Sequence, residues 1–180
     1  MKLRHTLLAL PVLALFSQGA AAADARLALP DFHALEARAS ESVSVSLDSS
    51  LIGLAARFLD PDKPEDAAAR QAIAGLTGIY VRSFTFDSDF AYPQTEVDSL
   101  RKQLSTPGWQ QLVQVRSHKE HNDVDVYIRV EGSKASGLVI IAREPREFTI
   151  VNIVGSIDLQ KLHELEGHFG IPQLKLESKK

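Results

Sequence analysis

The chain contains no cysteine, one tryptophan and one methionine among its 180 residues. Without a thiol it can form no disulfide, offer no cysteine nucleophile and carry no lipid on a lipobox cysteine. Its formal net charge of -3 leaves no strongly basic face of the kind that phosphate binding requires. We therefore expect no nucleic-acid partner and no redox chemistry.

The N-terminal residues predict a cleavable export signal. Lys2 and Arg4 supply positive charge, residues 7–16 form a short apolar run, and small residues follow it. The run is shorter than the roughly 20 residues that span a bilayer, which argues against a membrane anchor. We expect cleavage near Ala22 or Ala23 and a periplasmic or secreted protein.

After a signal peptide over residues 1–23, residues 24–180 predict one exported domain. This part of the sequence has no internal repeat, no low-complexity stretch and no long linker, and its core is expected to extend from about residue 31 to 172. Loss of two basic leader residues makes the formal charge of -3 two units more negative. The surface of the exported domain should be mildly acidic.

Apolar periodicity in the first half predicts helices and strands in alternation. We expect serines to cap the helix that begins at residue 51, and Asp62 to cap the next one. Trp109 should pack where the last of these helices ends. In chain order the predicted elements are a helix from 31, a strand at 43–47, helices at 51–59 and 62–75, a strand at 79–86 and a helix between 93 and 107.

The second half predicts four consecutive antiparallel strands joined by short turns. The second strand alternates, so Asp125, Tyr127 and Arg129 are expected on a solvent-exposed face. The last two strands are apolar on both sides and need cover, either from helices on both faces or from a partner chain. A final helix is expected from about residue 158 to 169. The four predicted strands are 112–116, 124–130, 137–142 and 148–154.

These patterns indicate an α+β fold: a single domain with a mainly antiparallel sheet, a four-strand meander in its C-terminal half and about four or five packed helices. The pairing of strands 43–47 and 79–86 stays open, because it depends on tertiary contacts.

No residue pattern amounts to an active site, and we expect no catalytic residue and no cofactor. His163 and His168 are five positions apart, about 140° around a helix, so one helix cannot direct both rings at one metal. His118, His121 and Asp123 are weak metal candidates in a predicted turn, where no further ligand is identifiable. The sequence contains no serine-nucleophile motif and no phosphate-binding glycine motif.

Four other residues are candidates for a structural or binding role. Glu144 and Pro145 lie in a tight, charged turn, where the proline restricts the backbone. Asn152 lies inside an apolar strand, so its amide must find hydrogen-bond partners. Trp109 is the fourth candidate.

The segment Gly137 to Gly155, with the sequence GLVIIAREPREFTIVNIVG, resembles domain-of-unknown-function family 4252. Residues 76–84 and the tract around Trp109 are similar to it as well, and the part from Glu144 to Gly155 is the most specific. The resemblance implies an exported bacterial envelope protein, but no established activity, cofactor or catalytic residue.

Two functions remain open from the sequence. The first is a non-enzymatic periplasmic binding or accessory module that contacts another envelope protein or a second copy of itself. The second is a metal-dependent or hydrolytic periplasmic enzyme, which would build its site from His118, His121, Asp123 or the turn at Glu144.

Overall fold

Four helices and six strands form the described part of the chain, residues 25–132 and 134–158, in a computed structural model. The predicted C-terminal helix with His163 and His168 lies outside these residues. In chain order the elements are α1 (His33–Glu36), β1 (Glu41–Asp48), α2 (Ser49–Ala55), α3 (Pro64–Ile73), β2 (Leu76–Thr85), α4 (Gln94–Leu104), β3 (Trp109–Ser117), β4 (Asn122–Glu131), β5 (Lys134–Glu144) and β6 (Glu147–Ile157).

The strands form one antiparallel sheet with the order β1-β2-β6-β5-β4-β3. The consecutive strands β3 to β6 are neighbours, as their short connections predict. β2 pairs with β6, so the two strands of the first half extend the same sheet beyond the last strand. The protein is therefore of the α+β class with a six-stranded antiparallel sheet.

One side of the sheet, which we call the aromatic face, carries Tyr80, Phe84 and Phe148. The rings of Phe84 and Phe148 stack with their centroids 6.3 Å apart, and Phe32 contacts both. Helix α4 covers this face with a buried stripe. The stripe consists of Val97, Leu100 and Leu104. Its spacing of three and four residues places these side chains on one side of the helix, as the sequence predicts.

The other side, which we call the aliphatic face, carries branched side chains such as Val81, Val151 and Ile153. Ile52 of α2 and Ile73 of α3 belong to the same buried cluster. Helices therefore cover both sides of the sheet within the described residues, which explains why the central strands are apolar on both sides.

Several local predictions need correction. Helix α2 ends at Ala55 rather than near residue 59, and its cap is Asp48, whose carboxylate accepts a hydrogen bond from the Leu51 N–H at 2.9 Å. A carboxylate and a serine hydroxyl can both accept from the first turn, so composition alone does not distinguish them. Helix α3 begins after Lys63, with no side-chain cap, instead of after Asp62.

Gly155 allows β2 and β6 to approach closely at a point where their register shifts. Its φ is +126°, and a Cβ there would lie 2.5 Å from the carbonyl oxygen of Gly75. Only glycine adopts this conformation without strain, and only glycine leaves room for the neighbouring backbone.

Among the described residues, no helix is both long enough and apolar enough to cross a bilayer.

Candidate functional site

Helix α2 is apolar on two sides, although it packs against the sheet with only one of them. Ile52 is buried on the aliphatic face. Leu51, Leu54 and Phe58 are instead exposed by 45%, 49% and 82%. Leu51 and Leu54 are three positions apart and share one side of α2. Phe58 follows in the turn after the helix, where its N–H donates a hydrogen bond to the Ala55 carbonyl oxygen at 3.0 Å. We call Leu51, Leu54 and Phe58 the α2 stripe.

Strand β1 lies beside α2 and is one of the two edges of the sheet among the described strands. Its eight residues pair with β2 without a register shift. Between Glu41 and Asp48 it contains no charge, no proline and no bulge, which are the features that usually protect an edge from pairing with another chain. The opposite edge, β3, has a bulge near Leu112. Strand β1 is thus the less protected edge.

The α2 stripe and β1 form a continuous candidate binding surface, because Asp48 ends the strand and caps the helix. The strand offers backbone hydrogen-bond groups, and the stripe offers apolar area. Exposed apolar side chains that cluster in this way mark interaction sites more often than isolated ones do. This surface can bind a partner but offers no group for catalysis, because the α2 stripe contains no nucleophile and no metal ligand.

A buried charge cluster lies on the aromatic face under α4. Asp125, whose side chain is only 3% exposed, accepts hydrogen bonds from Arg101 Nη2 at 3.0 Å, Arg116 Nη2 at 2.6 Å and Gln111 Nε2 at 3.1 Å. The expectation that Asp125, Tyr127 and Arg129 lie on a solvent-exposed face is wrong, because Asp125 and Arg129 are buried and Tyr127 is half-buried against the aromatic cluster. Helix α4 covers this end of β4, and Arg101 supplies the positive charge that a buried carboxylate requires.

Two tyrosines and Arg101 around this cluster have shifted pKa values. Burial raises the pKa of both Tyr92 and Tyr127. Burial opposes the charge of Arg101, but its hydrogen bond to Asp125 raises the pKa of the guanidinium overall. The cluster therefore keeps its arginine charged and its tyrosines neutral at ordinary pH, which suits a structural tie between α4 and the sheet better than proton transfer.

Glu144 and Pro145 lie at the tip of the β5–β6 hairpin, as predicted for a tight turn. Glu144 pairs with Glu147, and the carbonyl oxygen of Arg146 accepts a hydrogen bond from the Phe86 N–H at 2.9 Å. The tip lines a shallow, open depression of about 280 Å³. This depression is too open to enclose a small substrate, since ligand sites usually bury most of the ligand surface.

Asn152 and Trp109 are both buried on the aromatic face. The Asn152 amide accepts a hydrogen bond from the Leu27 N–H and donates to the carbonyl oxygens of Ala25 and Leu138. Trp109 packs where the segment after α4 meets β3, because it is the first residue of that strand. Asn152 thus connects the start of the described chain to the centre of the sheet.

His118 and His121 lie in the turn between β3 and β4, and Asp123 follows on β4. The Asp123 carboxylate accepts a hydrogen bond from Arg143 Nη1 at 3.4 Å. Within residues 25–132 and 134–158, no group of three histidine, cysteine or acidic side chains lies close enough to hold a metal ion. The structure therefore does not assemble these three residues with a further ligand among the described residues.

The molecule is an α+β module in which helices cover both faces of an antiparallel sheet. Residues 37–165 match the family model of the domain of unknown function DUF4252. The match covers more than half of the chain, so the chain belongs to this family, and the resemblance seen around Glu144 to Gly155 is confirmed. No curated protein and no solved structure matches the chain.

Sequence reasoning placed Leu51, Leu54 and Phe58 in a packed helix and missed their exposure. One signal was available, because a helix with apolar residues at 51, 52, 54, 55, 58 and 59 has more apolar surface than one sheet contact can cover.

Proposed function

We propose that the protein is a non-enzymatic binding or accessory module of the bacterial envelope. It acts outside the cytoplasm and contacts another envelope protein through the α2 stripe and the adjacent β1 edge. The export signal predicted at the N-terminus supports this location. The observation that carries the proposal is the exposure of Leu51 and Leu54 on α2 and of Phe58 in the turn that follows it, next to an unprotected edge strand.

Two physical contributions to binding are combined at this surface. A partner strand added to β1 would satisfy backbone groups of the edge and extend the sheet, which is a common mode of peptide recognition. Phe58 would then supply a large apolar side chain, the kind of residue that dominates interface energies when a partner buries it. A second copy of the chain could use the same edge, and the experiment distinguishes the two partners.

The test is site-specific photocrosslinking in intact cells. A photoreactive phenylalanine analogue replaces Phe58 in one strain and Leu112 in a matched strain, because Leu112 is also exposed, by 56%, but lies on the opposite edge. We expect one discrete crosslinked species from position 58, formed with another envelope protein and identified by mass spectrometry, and none from position 112.

The corresponding substitutions check that the surface itself binds. Phe58→Ser should weaken the purified complex by about tenfold or more, as expected for a binding anchor, while Leu112→Ser leaves it unchanged. Both variants should keep the stability of the parent within about 0.5 kcal/mol, since both side chains are exposed. Equal crosslinking at the two positions, or none at either, would contradict the proposal. If position 58 crosslinked only to a second copy of this chain, the partner would be the chain itself, and the proposal of another envelope protein would be wrong.

A further inference from the structure

Residues 25–28 lie on the aromatic face and are held by hydrogen bonds to their backbone and by the burial of the Ala25 and Leu27 side chains. We call these residues the N-terminal segment. Asn152 accepts a hydrogen bond from the Leu27 N–H at 2.9 Å and donates to the Ala25 carbonyl oxygen at 3.1 Å. Gln103 of α4 accepts from the Ala28 N–H and donates to the Ala28 carbonyl oxygen, both at 2.9 Å.

Two side-chain amides thus make four hydrogen bonds to three residues of the segment, and all four use main-chain atoms. A side-chain amide presents one donor and one acceptor side by side, as a peptide group does. Asn152 and Gln103 therefore bind the main-chain groups of the segment, as the backbone of a neighbouring chain would. This form of recognition does not select side chains.

Selectivity comes from two subsites beside these amides. Ala25 is only 1% exposed and lies above Gly137, where an added Cβ would come within 3.0 Å of the Ala25 Cβ and within 3.0 Å of Trp109. This subsite has room for a small residue only. Two positions later, Leu27 is 6% exposed and belongs to the buried cluster of the aromatic face. The side chain between them, Arg26, lies over the Tyr80 ring, 4.3 Å from its centroid.

We propose that this groove is a peptide-binding site that its own N-terminal segment occupies as an exchangeable ligand. The external occupant is a short segment of another protein, with an alanine-sized residue followed two positions later by a leucine. The occupant already seated in the groove is the observation that defines this chemistry. The groove lies on the aromatic face, whereas α2 packs on the aliphatic face, so the site is separate from the α2 stripe.

Exchange is physically reasonable because the segment contributes no strand to the sheet. The six strands pair with one another without it, and α4 packs on the sheet through Val97, Leu100 and Leu104. Release exposes the Asn152 amide and two small apolar subsites, and an incoming peptide satisfies the same groups. The tethered segment and an incoming peptide therefore compete for the groove through the same kinds of contact, and the tethered segment has the advantage of a high effective concentration.

The test uses the variant Leu27→Asp, which cannot bury its own segment but leaves the groove intact. The probe is a fluorescent synthetic peptide with the sequence of residues 25–30, Ala-Arg-Leu-Ala-Leu-Pro, and binding is followed by anisotropy. We expect saturable binding to the variant and at least tenfold weaker apparent binding to the unaltered chain, in which the tethered segment competes. A matched peptide with aspartate in place of the first leucine should bind the variant at least about tenfold more weakly.

Adding Gln103→Glu to the variant removes the donor to the peptide carbonyl and should weaken binding about fivefold or more. The control Gln110→Glu makes the same change of charge on the edge strand β3. Gln110 lies on the aliphatic face, away from the groove, so this change should have no effect on binding. A folded Leu27→Asp variant that does not bind, or binding that Gln103→Glu leaves unchanged, would overturn the proposal. A concentration-dependent dimer of the unaltered chain that Leu27→Asp abolishes would make a second copy the occupant and overturn the assignment to another protein.

Should Leu27→Asp fail to fold, hydrogen exchange on the unaltered chain decides the question. The amide hydrogens of Leu27 and Ala28 should exchange through local opening, at least tenfold faster than those of β6. Exchange of both groups only through global unfolding would show that the segment is a fixed part of the core and would overturn the proposal.

Discussion

Replacement of Asp125 by asparagine should be among the most destabilising changes that leave side-chain volume nearly constant. The carboxylate accepts three hydrogen bonds, two of them from arginines, and its side chain is 3% exposed. Removal of one partner of a buried ion pair costs about 3–5 kcal/mol. Arg101 and Arg116 are about one third exposed and can regain water, so we take the lower end, about 3 kcal/mol.

The free energy of unfolding can be measured by urea titration, with the fluorescence of Trp109 as the signal. The chain has one tryptophan, and it lies on β3 with Gln111 and Arg116. Asp123→Asn is the matched control, because Asp123 pairs with Arg143 where both side chains are about 30% exposed, and this change should cost less than about 1 kcal/mol.

A double-mutant cycle then isolates the contact between the helix and the sheet. Arg101→Met should destabilise the parent more than it destabilises the Asp125→Asn variant, by at least about 1 kcal/mol, because the two residues are in direct contact. If Asp125→Asn cost no more than Asp123→Asn, the conclusion that this carboxylate ties α4 to the sheet would be refuted.

Three further changes test other parts of the fold. Phe148→Ala should lower the free energy of unfolding by about 3–5 kcal/mol, because it empties a fully buried aromatic position; urea titration measures this. Gly155→Ala should lower the free energy of unfolding by at least about 2 kcal/mol, because alanine is strained at φ +126° and its Cβ would meet the backbone of Gly75. Thermal melting should show a decrease in Tm of several degrees. An unchanged Tm would be inconsistent with the strand geometry. The free energy of unfolding should decrease as pH rises above about 10, because Tyr92 and Tyr127 lose protons in the unfolded chain before they do in the folded one. Urea titrations between pH 9 and 11 should show a shallower decrease for Tyr92→Phe than for the unaltered chain.

Much of the fold follows from the periodicity of the sequence. The stripe of Val97, Leu100 and Leu104 predicts α4 and its buried side, and the two-sided apolar strands β5 and β6 predict cover on both faces. The strands are longer than predicted, since pairing extends β5 and β6 to Glu144 and Glu147 at the hairpin tip. Local patterns identify the middle of a strand better than its ends, where neighbouring strands decide the length.

The candidate surfaces were harder to predict, because each depends on which side chain a distant element covers. Asp125 alternates with apolar residues as a solvent-facing residue would, and only Arg101 on α4 makes its burial possible. Phe58 and Leu59 are adjacent apolar residues, and the sequence does not show that Leu59 packs against the aliphatic cluster while Phe58 is exposed. Residues 25–28 show no periodicity over so short a stretch, and their place on the aromatic face depends on distant residues such as Asn152 and Gln103.

The pairing of β2 with β6 also affects when the molecule can fold. Residues 76–85 find their inner neighbour only at residues 147–157, so the central seam of the sheet joins parts of the chain that are far apart in sequence. Contacts of this kind have a high contact order and form slowly, because a long loop must close first. A chain that emerges N-terminus first, from a ribosome or a translocation pore, would expose the inner edge of β2 until most of the chain has appeared. This interval is when a chaperone would be most useful, and a truncation before residue 147 should leave this edge prone to aggregation.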